Sequence, residues 1–328
     1  MSIRLGYQIP NFSYPGSDPA DIGPTVLAQA REAEAAGFDA VLVMDHFYQL
    51  PGLGTPDEPM LESYTLLGAL AAATSRVQLS ALVTGVTYRN PTLLAKAVTT
   101  LDVVSGGRAV LGIGAGWFEL EHQQLGFDFG TFTDRFEKLE EALAIIGPML
   151  RGERPTVTGR HYRAETAINE PRIRDDLPIL LGGGGEKKTF KYAAQYAAHL
   201  NLICNDTDLP GKLDALQQRC AEVGRDRATL ETSFLAFVFL DEDGDTARTM
   251  HADFARARGM DLAALDPATR TQLTARHFVG SPDEVAEQVQ RRVLDPGVDG
   301  IIINMVANGH VPGMVELAGR TLGPLVRG

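Results

Sequence analysis

The chain reads as α/β, a single (β/α)8 TIM barrel, and three observations predict it. Eight short apolar runs alternate with amphipathic helical stretches along almost the whole sequence. Those runs are continuously apolar rather than alternating, as in parallel strands covered on both faces. Eight repeats within 328 residues suit a closed barrel better than an open doubly wound sheet. The expected domain is one unit over 1–328, with insertions near 152–178 and 241–280, and a site at the C-terminal strand ends.

The elements follow in order. Ile3 to Ile9 is the first strand. Thr25 to Ala36 is a helix, and Gly37 stands just past its end, where a left-handed residue is favoured. Ala40 to Met44 is the second strand, Ser63 to Thr74 a helix, and Val77 to Val83 the third strand. Asn90 can cap the next helix and Pro91 suits its first position, while Leu94, Ala97, Val98, Leu101 and Val104 fall on one face. Gly106 and Gly107 stop that helix, and Ala109 to Gly112 is the fourth strand. A helix from about Asp134 to Arg151 buries Leu139, Leu143, Ile146 and Leu150. Residues 152 to about 178 break the rhythm with Pro155, Gly159, Pro171 and Pro178, which marks an insertion. The rhythm resumes with a strand at Ile179 to Leu181, a helix from Glu186 to Ala198, and strands at Leu200 to Cys204 and Thr232 to Leu240. Ser281-Pro282-Asp283-Glu284 is a capping box with proline at the first helical position. Gly300 to Asn304 is the eighth strand, and Val311 to Val326 the closing helix.

Composition excludes several functions. A net charge of −12 argues against a nucleic-acid surface, and any anionic ligand must be met by a local basic pocket. No apolar run reaches membrane length, so no membrane partner is expected. Met1-Ser2-Ile3-Arg4 lacks a signal-peptide pattern, and Cys204 and Cys220 fit neither a disulfide scaffold nor a zinc motif. A cytoplasmic protein with buried thiols is expected. His161, His199, His251, His277 and His310 form no metal-ligand spacing, so no metal is expected.

Four places carry candidate chemistry. Gly107 to Trp117 runs from an apolar strand into glycines at 112, 114 and 116, a bare backbone against which a flat ligand can lie. It does not fit G-x-G-x-x-G, because the third glycine would fall on Trp117 or Glu119, and so it points away from a dinucleotide site. Asp45-His46 follows the second strand, where one of the two side chains should face the pocket. His46 reads either as a proton donor or acceptor for a substrate or as a loop histidine bonded to backbone. Gly182-Gly183-Gly184-Gly185-Glu186-Lys187-Lys188 opens a helix, and successive amides there, beside two lysines, favour phosphate over a merely flexible turn. Thr84 and Gly85 end the third strand. His122 reads as a helix-surface residue.

Together these residues resemble the luciferase-like monooxygenase superfamily, and within it the oxidoreductases that use the deazaflavin coenzyme F420. The resemblance rests on Gly37-Phe38-Asp39-Ala40 leading to Met44-Asp45-His46-Phe47, on Arg89-Asn90-Pro91, on Gly107-Arg108 through Trp117, and on Leu181 through Lys187. It implies a non-proline cis peptide between about Ala81 and Leu82, beneath the cofactor ring. It implies that Asp45, Ala81, Leu82, Thr84, Asn90, Ala115, Gly116 and Trp117 contact the ring or its side chain. Gly183, Gly184, Gly185, Glu186 and Lys187 would hold the phosphate, and His46 would be the catalytic acid or base. The 152–178 insertion would partly cover the pocket, with Arg160 and Arg163 reaching an acidic cofactor tail. The family's sugar-phosphate dehydrogenases carry glutamate at Trp117 and tryptophan at Leu50, so glucose 6-phosphate is not expected here. Phe12, Phe47, Leu50 and Trp117 suggest an apolar or aromatic small-molecule substrate.

The implied reaction is hydride transfer between F420 and that substrate. The alternatives are an FMN-dependent monooxygenase needing a partner reductase, and a non-catalytic flavin-binding relative, against which His46 counts. An unrelated phosphate-binding aldolase or isomerase would need a catalytic lysine or carboxylate at a strand end, and none is evident. A homodimer is expected from the resemblance.

Overall fold

The computed structural model describes residues 2–327, so Met1 and Gly328, at the ends of the predicted domain, lie outside the described residues. Eight parallel strands form the barrel: β1 (Leu5–Ile9), β2 (Ala40–Val43), β3 (Gln78–Ala81), β4 (Leu111–Gly114), β5 (Ile179–Gly182), β6 (His199–Leu202), β7 (Glu231–Leu240) and β8 (Gly300–Asn304). Each pairs with its sequence neighbours, and β1 pairs with both β2 and β8. Between β3 and β4 the ring closes through a bridge of Leu79 to Ala109.

Closure at that seam explains two shifted boundaries. Leu79 and Arg108–Val110 exchange only single backbone bonds, so the regular fourth strand starts at Leu111 rather than Ala109. The third strand stops at Ala81, and a two-residue strand, Thr84–Gly85, then pairs with β4. The Leu82 amide still donates to Val43 O at 2.8 Å, and the non-proline cis bond follows it at Leu82–Val83, one residue beyond the expected Ala81–Leu82.

Helices wrap the barrel: α1 (Ile22–Ala35), α2 (Ser63–Ala73), α3 (Pro91–Ser105), α4 (Glu119–Leu125), α5 (Phe132–Leu150), α6 (Thr189–Tyr196), α7 (Leu209–Glu222), α8 (Gly244–Arg256), α9 (Pro267–Leu273), α10 (Pro282–Val289) and α11 (Met314–Val326). The cap signals hold: Asn90 accepts from the Thr92 amide, and Ser281 and Glu284 form the reciprocal box. On α3 the buried stripe includes Leu94, Ala95, Val98 and Leu101, whereas Val104 is exposed. The helix packs between α2 and α5, and Val104 turns out of that contact. Helix α6 begins at Thr189, three residues later than Glu186, because the glycine run before it stays irregular.

Both insertions have structure. In 152–178, Val157–Thr158 and Arg163–Ala164 form a hairpin laid on α5, where Glu141 accepts from the amides of Arg160, His161 and Tyr162 at 2.8, 3.0 and 2.8 Å. In 241–280 lie α8, α9 and a strand, His277–Gly280, that pairs with the upper half of β7. Cys204 and Cys220 are free, and among the described residues no helix is long and apolar enough to cross a membrane.

Glycines set how close the walls can come. A Cβ on Gly112 would lie 1.9 Å from the backbone oxygen of Ala81. Gly112→Ala must therefore push β3 from β4, and a loss of roughly 1–3 kcal/mol or more is expected in urea unfolding of the purified variant.

Candidate active site

The C-terminal strand ends surround a cavity of ≈ 580 Å³. Its floor is polar. Gln8 donates to Leu82 O at 3.3 Å and accepts from Asn304 at 3.4 Å, and Asn304 keeps a buried side-chain oxygen with no partner among the described residues. One wall is bare backbone from Gly114, Gly116, Gly182, Gly183 and Gly184. A Cβ at either Gly114 or Gly182 would stand 2.8 Å from the Val83 side chain, so both must be glycine for Val83 to rise between β4 and β5. Much of the remaining lining is apolar, with Leu50, Leu53, Trp117, Phe132, Phe136 and Phe237 among its side chains.

His46, just past β2, lines this cavity and its ring stands edge-on to Trp117 and Phe118. Its Nδ1 lies 2.9 Å from Oε2 of Glu121, a fully buried carboxylate on α4. Glu121 also accepts from the Tyr48 amide at 2.8 Å, from the Phe47 amide and from the Tyr88 hydroxyl. Burial works against its charge, but these bonds, His46 foremost, hold the carboxyl below its usual range. An ionised Glu121 makes Nδ1 the donor and leaves Nε2, without a partner among the described residues, as the nitrogen that can take up or give a proton.

That depressed value has a stability consequence. The folded-state value lies below the ordinary 4.5 of the unfolded chain, so ionised Glu121 stabilises the fold above that pH. The contribution is lost as pH falls from 4.5 through the folded-state value. The stability difference between wild type and Glu121→Gln should shrink over that acid range when unfolding is followed by urea titration at each pH.

Asp45 is buried and shares the cavity wall, so both members of the pair reach the pocket rather than one. Its carboxylate is committed elsewhere. Arg89 grips it at 2.8 and 2.9 Å, Ser63 donates at 2.6 Å, and the Gly85 amide donates at 3.0 Å. Arg89 also reaches Glu62 at 2.6 Å. This buried pair joins α2, β2 and the backbone after the cis bond.

The other expected residues separate into two groups. Leu82, Ala115, Gly116, Trp117, Gly183 and Gly184 line the cavity with Asp45 and His46. Ala81 lies below it in β3, the Thr84 hydroxyl bonds Tyr64 at 2.8 Å, and Asn90 is spent capping α3. Gly185, Glu186 and Lys187 sit outside the wall and exposed, with Glu186 paired to Lys212 at 2.8 Å. The Gly183 amide donates to Asn201 O at 3.0 Å, whereas the amides from Gly184 to Lys187 have no backbone acceptor among the described residues. Lys188 extends over Phe132 and Phe136, which places its charge nearer the cavity than that of Lys187. Phe12 is core and Phe47 stacks on Phe127, so neither lines the pocket. The 152–178 hairpin adds nothing to the wall, and Arg160 and Arg163 pair with surface carboxylates on α5 and at Glu165.

Glu121, Tyr88 and Arg135 were not singled out from sequence. His122, expected on a helix surface, is buried, bonding Thr87 at 2.7 Å and Phe118 O at 2.8 Å. The α4 helix is short and faces inward, so its acidic sequence hides two buried polar side chains. Asp134, Glu137 and His161 bring ligand atoms within 4.8 Å of one another, but Arg160 already pairs with both carboxylates, at 3.4 and 2.8 Å.

Comparison with known proteins identifies the family. Residues 3–300 match the family model described as luciferase-like monooxygenase. The chain is 31% identical over 332 residues to the F420-dependent glucose-6-phosphate dehydrogenase of Nakamurella multipartita, covering 94% of this chain and 91% of that one. It is 26% identical over 325 residues to the pyrimidine monooxygenase RutA of Stutzerimonas stutzeri, covering 92% and 88%. Among solved structures, an F420-dependent secondary alcohol dehydrogenase in complex with an F420–acetone adduct superposes with a TM-score of 0.78, at 22% identity and full coverage of both chains.

Proposed function

The chain belongs to the luciferase-like monooxygenase family, and on that premise we propose that it is an F420-dependent oxidoreductase acting on a small apolar or aromatic organic substrate. The observation that carries the reading is His46, held at the cavity by a buried ionised Glu121 and facing a wall of bare glycine backbone. The residues present fit such a cofactor. The glycine wall admits a flat ring, the orphaned Asn304 oxygen can accept a hydrogen bond from it, and the amides from Gly184 to Lys187, with Lys188 and Arg135, suit its anionic side chain. When bound, the deazaflavin supplies or accepts hydride.

The protein's own part is orientation and proton transfer. Val83 and the Leu82 backbone would support one face of the ring, and the apolar wall excludes water from the other. His46 Nε2 gives a proton to a substrate being reduced, or takes one from an alcohol being oxidised. Glu121 keeps the imidazole in the tautomer and orientation this needs.

The likeness to a pyrimidine monooxygenase makes FMN the competing reading, with oxygen as co-substrate and a separate reductase. A fluorescence titration of the purified protein with F420 and with FMN separates them. Tighter binding of F420, with turnover in an alcohol or enone screen, is expected; preference for FMN would overturn the cofactor choice. The homodimer that the reading includes is checked by light scattering.

A further inference from the structure

A second cavity, of ≈ 1140 Å³, adjoins the first. Pro51, Leu53, Phe237 and Arg276 belong to the walls of both and form the neck between them. Beyond the neck the second chamber takes much of its apolar lining from the 241–280 insertion, including Met250, Phe254, Leu262 and Leu273.

The neck holds an unusual charge. No carboxylate among the described residues lies within 4.0 Å of the Arg276 guanidinium, and it donates no hydrogen bond to any of them. Its nearest described partner is the Phe237 ring, 5.2 Å to the centroid. Burial pulls its pKa below the ordinary arginine value. The other arginine of the larger chamber, Arg258, is by contrast used: it donates to Leu53 O and Phe254 O and stacks on Phe254. Among the remaining charged or titratable groups on that wall, Glu58 accepts from the Thr55 amide, and His251 and His277 bond each other at 2.8 Å and are held neutral by burial, as burial also favours for His310. In a chain of net charge −12, a half-buried arginine without a counter-ion between two apolar chambers has the chemistry of an anion site.

We propose that the substrate is an elongated organic anion: its reacting end lies by His46, its anionic group meets Arg276 at the neck, and its apolar chain runs into the second chamber. This rests on the reading of the first chamber as the active site.

The test is a calorimetric series of straight-chain carboxylates of two to twelve carbons, with the matching alcohols, against the protein with and without F420. Affinity is expected to rise about fourfold for each added methylene, as burial of each group would give, and carboxylates should bind at least tenfold tighter than alcohols. Ala307→Phe and Met250→Trp, two separate ways of filling the second chamber, should end that rise while leaving two-carbon binding within twofold. Arg276→Gln should abolish the preference for carboxylate over alcohol and leave F420 affinity unchanged. An affinity level across the series, a rise that persists in both filled variants, or an Arg276→Gln effect on F420 instead of the carboxylates would each overturn the proposal. A wild type that binds the series as expected but not F420 would remove the oxidoreductase reading and leave the two-chamber site in place.

Discussion

Replacing His46 with alanine should lower kcat by about 10²–10⁴-fold, the range for loss of a positioned general acid or base. F420 affinity should stay within a few-fold of wild type, because the amides proposed for its anionic side chain follow β5, near Gly184, whereas His46 follows β2. The variant should keep its fold, since the residue is part-exposed to the cavity and its one polar bond is to Glu121. Unchanged turnover with cofactor bound would remove His46 from the mechanism.

The largest stability effect is expected at Arg89. Its guanidinium makes a two-pronged contact with a carboxylate that is 1% exposed, and a further bond to Glu62. Arg89→Leu removes the cation and leaves Asp45 buried with its charge uncompensated, a change that costs about 3–5 kcal/mol. Removing both partners together, as in Arg89→Leu with Asp45→Asn, should restore much of the loss, since the penalty lies in the stranded charge rather than in the missing bond. Thermal or urea unfolding of the three variants decides it. If the double variant is as unstable as Arg89→Leu alone, the ion pair is not the cause. Because Asp45 also takes the Gly85 amide, the single variant should loosen the backbone after Leu82 and weaken cofactor binding.

Much of the barrel was legible because its signals are local. Continuous apolar runs, a proline at the first turn and a capping serine act through neighbours in the chain, so strands such as Ala40–Val43 and the start of α10 fall close to where the pattern puts them. Val104 misled, since periodicity identifies a face but not which neighbour covers its edge. The 241–280 stretch looked like an insertion, yet it folds back to add a strand to β7, a pairing no local spacing encodes.

The candidate site divides in the same way. By itself the sequence determined the glycine wall, the position of His46 and the run before α6, because glycine density and strand ends are properties of consecutive residues. Only the tertiary structure decided that Glu121 turns inward to hold His46 across 75 positions, that Arg89 neutralises Asp45, and that Arg276 faces the cavity without a counter-ion among the described residues. The physical reason is that burial and charge pairing depend on which elements meet in space. A glutamate on an acidic seven-residue helix has the sequence of a solvated surface; it becomes a buried positioning group when the barrel presses that helix against the strand end beside it.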